Sequence, residues 1–169
     1  METSDSAKFR QIRHKPVLEA TSDADLIVAC MQMRTNANLS AILRTASCCG
    51  LQRVLVEGRA SVEKKIARDG ANTIEIEKRN TLEPALLQLR KEGYRLIGLE
   101  QTTNSSCLYD FAYPQKSVLV IGNERSGISE GLLDILDDVV EIPMYGVPYS
   151  FNAAVATSLA IYEFRRQHR

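Results

Sequence analysis

Residues 117–129, Ser-Val-Leu-Val-Ile-Gly-Asn-Glu-Arg-Ser-Gly-Ile-Ser, carry the chain from an apolar run (117–121) straight into a polar loop with two glycines. An unbroken run of aliphatic and β-branched residues predicts a strand covered on both faces, the habit of parallel sheets. Gly122 and Gly127 permit positive φ or close approach of the backbone, and Glu124 presents a carboxylate between them. Ligands of open α/β sheets bind beyond the carboxyl ends of the strands, so this junction is the first place to seek a site. A plain turn followed by a helix capped at Ser129 would account for the same residues.

Working outward, five further strand-like runs occur at 26–30, 53–57, 73–77, 95–99 and 139–142. Helical patterns separate them at 38–49, 61–69, 81–92 and 129–137, with a last one at 151–166. Gly50, Gly70 and Gly93 fall where a left-handed residue ends a helix, while Thr81 reads as an N-cap with Pro84 in the first turn. The alternation predicts an α/β fold, a mainly parallel sheet with helices on both faces. Residues 25–169 form the expected domain, and residues 1–24 a basic extension carrying Lys8, Arg10, Arg13 and Lys15. Arg165, Arg166 and Arg169 make a second terminal cluster; either cluster reads as a solvated tail or as a phosphate-contacting patch.

Several chemistries are disfavoured. The 169 residues are 44% hydrophobic and 25% charged with zero formal net charge, the profile of an ordinary globular domain without a general positive field. Apolar runs are too short to span a bilayer and no secretory h-region opens the chain, which predicts a cytoplasmic protein with no membrane partner. Cys30, Cys48, Cys49 and Cys107 lack C-x-x-C spacing, and the two histidines, His14 and His168, lie near the termini, so no metal is expected. The G-x-G-x-x-G fingerprint, the P-loop and the G-x-S-x-G elbow are all missing.

Two more segments stand out from scaffold. In Asn38-Leu-Ser-Ala-Ile-Leu-Arg44-Thr45 an arginine interrupts an apolar helix, calling for either a functional anion or an acidic neighbour on the surface. Ile142-Pro-Met-Tyr-Gly-Val-Pro-Tyr-Ser150-Phe151-Asn152 runs through two prolines and a glycine into the last helix. Capping alone could explain Ser150, but not the long non-repetitive approach. The stripe Phe151, Val155, Leu159 and Tyr162, with alanines around it, predicts a helix buried on more than one side.

In this order the three segments resemble the signature motifs of the SpoU (TrmH) family of RNA methyltransferases, in the SPOUT superfamily, over residues 25–166. The resemblance implies a deep trefoil knot in the C-terminal third, a homodimer with shared active sites, and S-adenosylmethionine as cofactor. It implies transfer of a methyl group to a ribose 2′-hydroxyl of RNA, with tRNA favoured over rRNA because no added recognition domain is evident. Carried over residue by residue, Leu99, Gly122, Ile142 and Phe151 would line the cofactor pocket; Asn38, Arg44, Glu124, Ser150 and Asn152 would surround the reacting ribose. Phe151 departs from the leucine common at that position. The competing reading, a catalytically silent RNA-binding homologue, would be expected to show damage at Arg44, Ser150 or Asn152, and all three are intact.

Overall fold

The most apolar strands take the middle of the sheet. In the computed structural model, which describes residues 9, 11, 15–18, 22–147 and 149–169, β1 (Asp25–Cys30) and β6 (Lys116–Ile121) pair along their whole length, from Asp25 with Lys116 to Cys30 with Ile121. Around them lie β2 (Arg53–Glu57), β3 (Glu75–Arg79), β4 (Arg95–Leu99), β5 (Ser106–Cys107) and β7 (Asp138–Glu141). The order is β3-β2-β1-β6-β4-β7-β5 and every pairing is parallel. The edge strand β3 is Glu-Ile-Glu-Lys-Arg, charged enough to discourage pairing with another chain.

Alternate strand residues feed two cores. Leu26, Val28 and Cys30 face α1 (Asn36–Cys48) and α6 (Ala153–Gln167), meeting Leu39, Ile42, Leu43, Ala160, Ile161 and Phe164. Ile27 and Ala29 face the other side, where α4 (Glu83–Lys91) contributes Leu86 and Leu89 and the single-turn α5 (Glu130–Leu133) contributes Leu132. The expected α/β layering therefore holds, with helices on both faces. Lys8, Arg10, Arg13 and Pro148 lie outside the described residues. Arg165 and Arg166 belong to α6, and Arg166 is paired with Glu163 at 2.7 Å.

Local readings needed correction where tertiary docking overrides propensity. The helix expected at 61–69 is two separate turns, α2 (Lys64–Ala67) and α3 (Gly70–Thr73), broken at Arg68. Gly70 is not a left-handed cap: it opens α3, and a Cβ there would stand 3.1 Å from the Leu43 carbonyl and 3.2 Å from Arg44 Cα. Gly50 and Gly93 do take positive φ, at +70° and +91°. The third strand starts at Glu75 rather than 73 because Thr73 is still helical. Leu82, not Thr81, precedes α4, and its N–H donates to Glu57 Oε1 at 3.3 Å; Pro84 sits in the first turn as expected. The helix expected at 129–137 stops after one turn because the chain must return to β7: the Asp137 N–H donates to the Leu96 carbonyl (2.8 Å) while the Asp137 carboxylate accepts from Leu96 N–H (2.8 Å). The two-residue strand β5 had no sequence signal.

The last helix divides its apolar surface: Leu159 of the expected stripe packs against the core, and the rest of that stripe does not. Ala154, Ala160, Ile161 and Phe164 are buried, whereas Phe151, Val155 and Tyr162 remain 43%, 48% and 67% exposed. The second burial predicted for this helix is thus not supplied by the chain's own core.

Arg68 has φ 50° and ψ −132°, and among the described residues it is the one non-glycine with positive φ. Such a conformation costs on the order of 1–3 kcal/mol for a residue bearing a Cβ. Arg68→Gly should therefore raise stability by about 1 kcal/mol after the added unfolded-state entropy of glycine is counted. Urea unfolding measures this, and a lowered midpoint would refute the strain assignment.

Candidate active site

The carboxyl ends of β4, β6 and β7 open on one concavity of about 730 Å³, within the usual range for small-molecule sites. Its wall includes Leu99, Glu100 and Gln101 after β4, Gly122–Glu124 after β6, and Ile142, Met144 and Ser150–Asn152 before α6. Arg34, Thr35 and Asn38 close it from the start of α1. This is the strand-end location anticipated from the loop at 122–129.

Two glycines shape the loop after β6. A Cβ on Gly122 would stand 2.4 Å from the carbonyl carbon of Gly127 and 2.5 Å from the nitrogen of Ile128, so backbone passes where any other residue would have its side chain. Gly127 has φ +67°, and its open side is filled by the Glu100 carboxylate, which accepts from Ile128 N–H at 3.2 Å. Between them, Asn123 and Gly127 exchange N–H···O bonds of 3.0 and 2.9 Å, and the Asn123 side chain accepts from the N–H groups of Arg125 and Ser126. Its amide nitrogen donates to the Gln32 carbonyl at 2.7 Å, fastening the loop to the segment before α1.

Glu124 is held by that segment too. Its Oε2 accepts from Arg34 N–H at 2.7 Å and its Oε1 from the Asn38 side chain at 2.8 Å. Asn38 Oδ1 in turn accepts from the Asn152 amide at 3.0 Å, while Asn152 Oδ1 caps α6 through the N–H groups of Ala154 (2.9 Å) and Val155 (3.3 Å). An ionised carboxylate can only accept, so this chain of bonds fixes the orientation of both amides. Burial pushes the Glu124 pKa upward, but the donors from Arg34, Asn38, its own N–H and Thr35 outweigh that, and the net effect holds it below the usual value. Asn152, rather than Ser150, is thus the N-cap of the last helix.

Eight of the nine sequence-predicted residues line the concavity: Asn38, Leu99, Gly122, Glu124, Ile142, Ser150, Phe151 and Asn152. The exception is Arg44. Six residues along a helix are roughly 9 Å and roughly 120° away from Asn38, so both side chains cannot face one cavity. Arg44 is exposed and has no ion-pair partner among the described residues, which removes the surface-pair explanation for it. Sequence reading missed Arg34, Glu100, Gln101 and Glu141; the last three sit at strand ends, where the same strand-end rule could have found them.

Cys30, at the end of β1, is buried, and burial together with the nearby Glu124 charge pushes its pKa up to about 12, so it remains a thiol. Among the described residues no group of three or more metal-binding side chains occurs, and no helix is long and apolar enough to cross a membrane.

The family model described as the SpoU rRNA Methylase family matches residues 25–162. The chain is 32% identical over 159 residues to the tRNA (guanosine(18)-2′-O)-methyltransferase of Aquifex aeolicus (strain VF5), covering 92% of this chain and 75% of that protein. The crystal structure of the A. aeolicus TrmH/SpoU tRNA modifying enzyme superposes with a TM-score of 0.82 at 30% identity, over 88% of this chain and 77% of the other. The SpoU methyltransferase AviRb from Streptomyces viridochromogenes, solved in complex with the cofactor AdoMet, superposes with a TM-score of 0.73 at 25% identity, over 89% of this chain and 62% of the other. The match runs from the first residue of β1 well into the last helix and takes in every strand of the sheet and each of the eight residues gathered at the concavity; the chain belongs to the SpoU methylase family.

Proposed function

We propose that this protein is an S-adenosylmethionine-dependent RNA methyltransferase acting on a ribose 2′-hydroxyl of tRNA. The observation that carries the reading is the bonded series Glu124–Asn38–Asn152 beside the glycine-lined concavity. The residues fit the cofactor: a cradle that a Cβ at Gly122 would fill, sufficient volume, and the carboxylates of Glu100, Glu124 and Glu141 near a ligand with a cationic sulfonium. S-adenosylmethionine, when bound, supplies a methyl group that is already electrophilic, which leaves positioning and proton removal to the protein. Support for tRNA comes from the name of the Aquifex relative, and guanosine 18 is the first position to examine.

In this reading Leu99, Gly122, Ile142 and Phe151 contact the cofactor, and Asn38, Ser150 and Asn152 orient ribose and phosphate. Glu124 stays ionised and fixes the amides. A guanidinium has only donors to offer, so Arg44 does not act as the base. Its role is to hold the phosphate beside the target ribose, to offset negative charge developing on the 2′-oxygen, and so to let that phosphate or water accept the hydroxyl proton. Because Arg44 does not line its own chain's concavity, it must serve the partner's, and the reading requires a homodimer. The uncovered stripe of Phe151, Val155 and Tyr162 supports such a contact. The trefoil knot, the assignment of residues 25–169 as the methyltransferase domain after an extension at 1–24, and a cytoplasmic location belong to the same proposal. Adjacent strands β4, β6 and β7, whose following loops meet at one cavity, support the knot.

Four outcomes are expected. Light scattering at micromolar concentration should give about twice the 18.8 kDa chain mass, and Val155→Glu with Tyr162→Glu should halve it; a monomeric parent protein would sink the shared site. Calorimetry in the presence of a chelator should show S-adenosylmethionine binding, weakened on the order of tenfold or more by Gly122→Val, which displaces the Gly127–Ile128 backbone. Arg44→Ala should slow methyl transfer to tRNA by roughly a hundredfold to a thousandfold at unchanged cofactor affinity, with little rescue by lysine. A mixed dimer of one Arg44→Ala and one Gly122→Val chain should recover about one active site; recovery of none would place Arg44 in its own subunit's chemistry.

A further inference from the structure

The segment between β2 and β3 lies as a strap along the flank of α1. Its Ser61 N–H donates to Asn36 Oδ1 at 3.2 Å, its Glu63 N–H donates to Ser40 Oγ at 2.8 Å, and Gly70 rests against Leu43 and Arg44. Ser47 and Thr73 close the far end through a 2.8 Å hydroxyl contact. The strap therefore advances along α1 from Asn36 past Arg44 to Ser47, about 17 Å of helix.

Its exposed side is rich in cations. Arg59, Lys64, Lys65 and Arg68 are exposed on it, Lys78 joins Arg59 around a small concavity at its start, and Arg44 stands at its end. Two exposed carboxylates, Glu63 and Asp69, share the segment. None of the six cations has a salt-bridge partner among the described residues. Arg53, Arg79, Arg90, Arg95 and Arg166, elsewhere on the molecule, each meet a carboxylate. In a chain with zero formal net charge, this unneutralised row is a local concentration of positive potential leading to Arg44. Arg68 adds its charge at a backbone position where glycine would be unstrained.

We infer that the strap is a phosphate-binding track: it takes the RNA backbone beyond the target nucleotide and leads it to Arg44. The inference rests on the methyltransferase reading for the role of Arg44, but the binding it describes can be measured without turnover. Each phosphate contact made by a cation contributes roughly 0.7–0.9 to the slope of log affinity against log salt.

Filter binding of unfractionated tRNA between about 50 and 200 mM salt tests it, using the parent protein, Arg68→Gly, the triple variant Lys64→Ala/Lys65→Ala/Arg68→Gly, and Lys91→Ala. Lys91 is an exposed cation on α4, across the sheet from the strap, and controls for loss of one charge. Arg68→Gly should lower the slope by about one contact, and the triple variant by about 2–3, with affinity down on the order of a hundredfold near 0.1 M salt. Lys91→Ala should match the parent, and S-adenosylmethionine affinity should be the same in all four. The strap inference is overturned if the triple variant keeps the parent slope, or if Lys91→Ala loses as much as Arg68→Gly. If the parent methylates tRNA while the triple variant binds it normally, the enzyme reading stands and the track falls. If the slope drops as expected in a protein that transfers no methyl, the track stands and the enzyme reading falls.

Discussion

Asn38 offers one side chain to two demands: its amide hydrogens go to the Glu124 carboxylate, and its oxygen receives the amide of Asn152. Its partners lie 86 and 114 residues further along the chain, so the loop after β6 and the cap of α6 are both referenced to the first turn of α1. The strength of the arrangement comes from Glu124. A carboxylate with a depressed pKa stays ionised through the neutral range, and as an obligate acceptor it leaves Asn38 only one orientation. The linkage has a sign. Because its folded pKa lies below the unfolded one, Glu124 contributes stability above the unfolded value, near 4.3 for glutamate, and that contribution is lost as pH falls through the folded pKa. Acid would thus loosen the concavity's wall as well as the fold.

Geometry at the site depends equally on atoms that are absent. Gly122 and the Gly127–Ile128 backbone occupy what would otherwise be one side chain's volume, whereas a Cβ on Gly98 of β4 would stand 2.5 Å from Leu136 Cδ1, a side-chain end that can move. At Gly122, where backbone is the obstacle, the packing admits no graded substitution. It holds the loop close to the strand ends and leaves the concavity open beside it.

Much of this was readable from the residues because the signals were local. Strand-like runs marked six of the seven strands, the charged third one two residues early, and eight of nine proposed site residues do meet at one cavity. What could not be read depended on partners distant in sequence. Nothing within 61–69 reveals that Ser40 and Asn36 will accept its N–H groups and hold it out of a continuous helix. Gly70 resembled a cap because the spacing was right, while its actual reason lies on another helix. The last helix was seen correctly as apolar on more than one side, but which side the core would take was not legible: it took Ala160, Ile161 and Phe164 with Leu159, and left Phe151, Val155 and Tyr162 uncovered. The position of Arg44, outside its own chain's concavity, follows from helical periodicity and agrees with the sharing of sites between subunits that the family resemblance implies.

The strand order also has a consequence for how the molecule comes into being. β1 lies between β2, which follows it closely, and β6, whose paired residues are 91 positions away in the chain. The half-sheet β3-β2-β1 is complete at Arg79, but the other flank of β1 waits for Ile121 to be made, 42 residues later. At bacterial to eukaryotic elongation rates of roughly 5–20 residues per second that is about 2–8 s during which Leu26 to Cys30 present an unpaired apolar edge. Such an edge invites association between nascent chains, and the charged composition of β3 protects only the opposite side. The arrangement that brings the central strands together late makes the growing chain, rather than the finished protein, the species most exposed to aggregation.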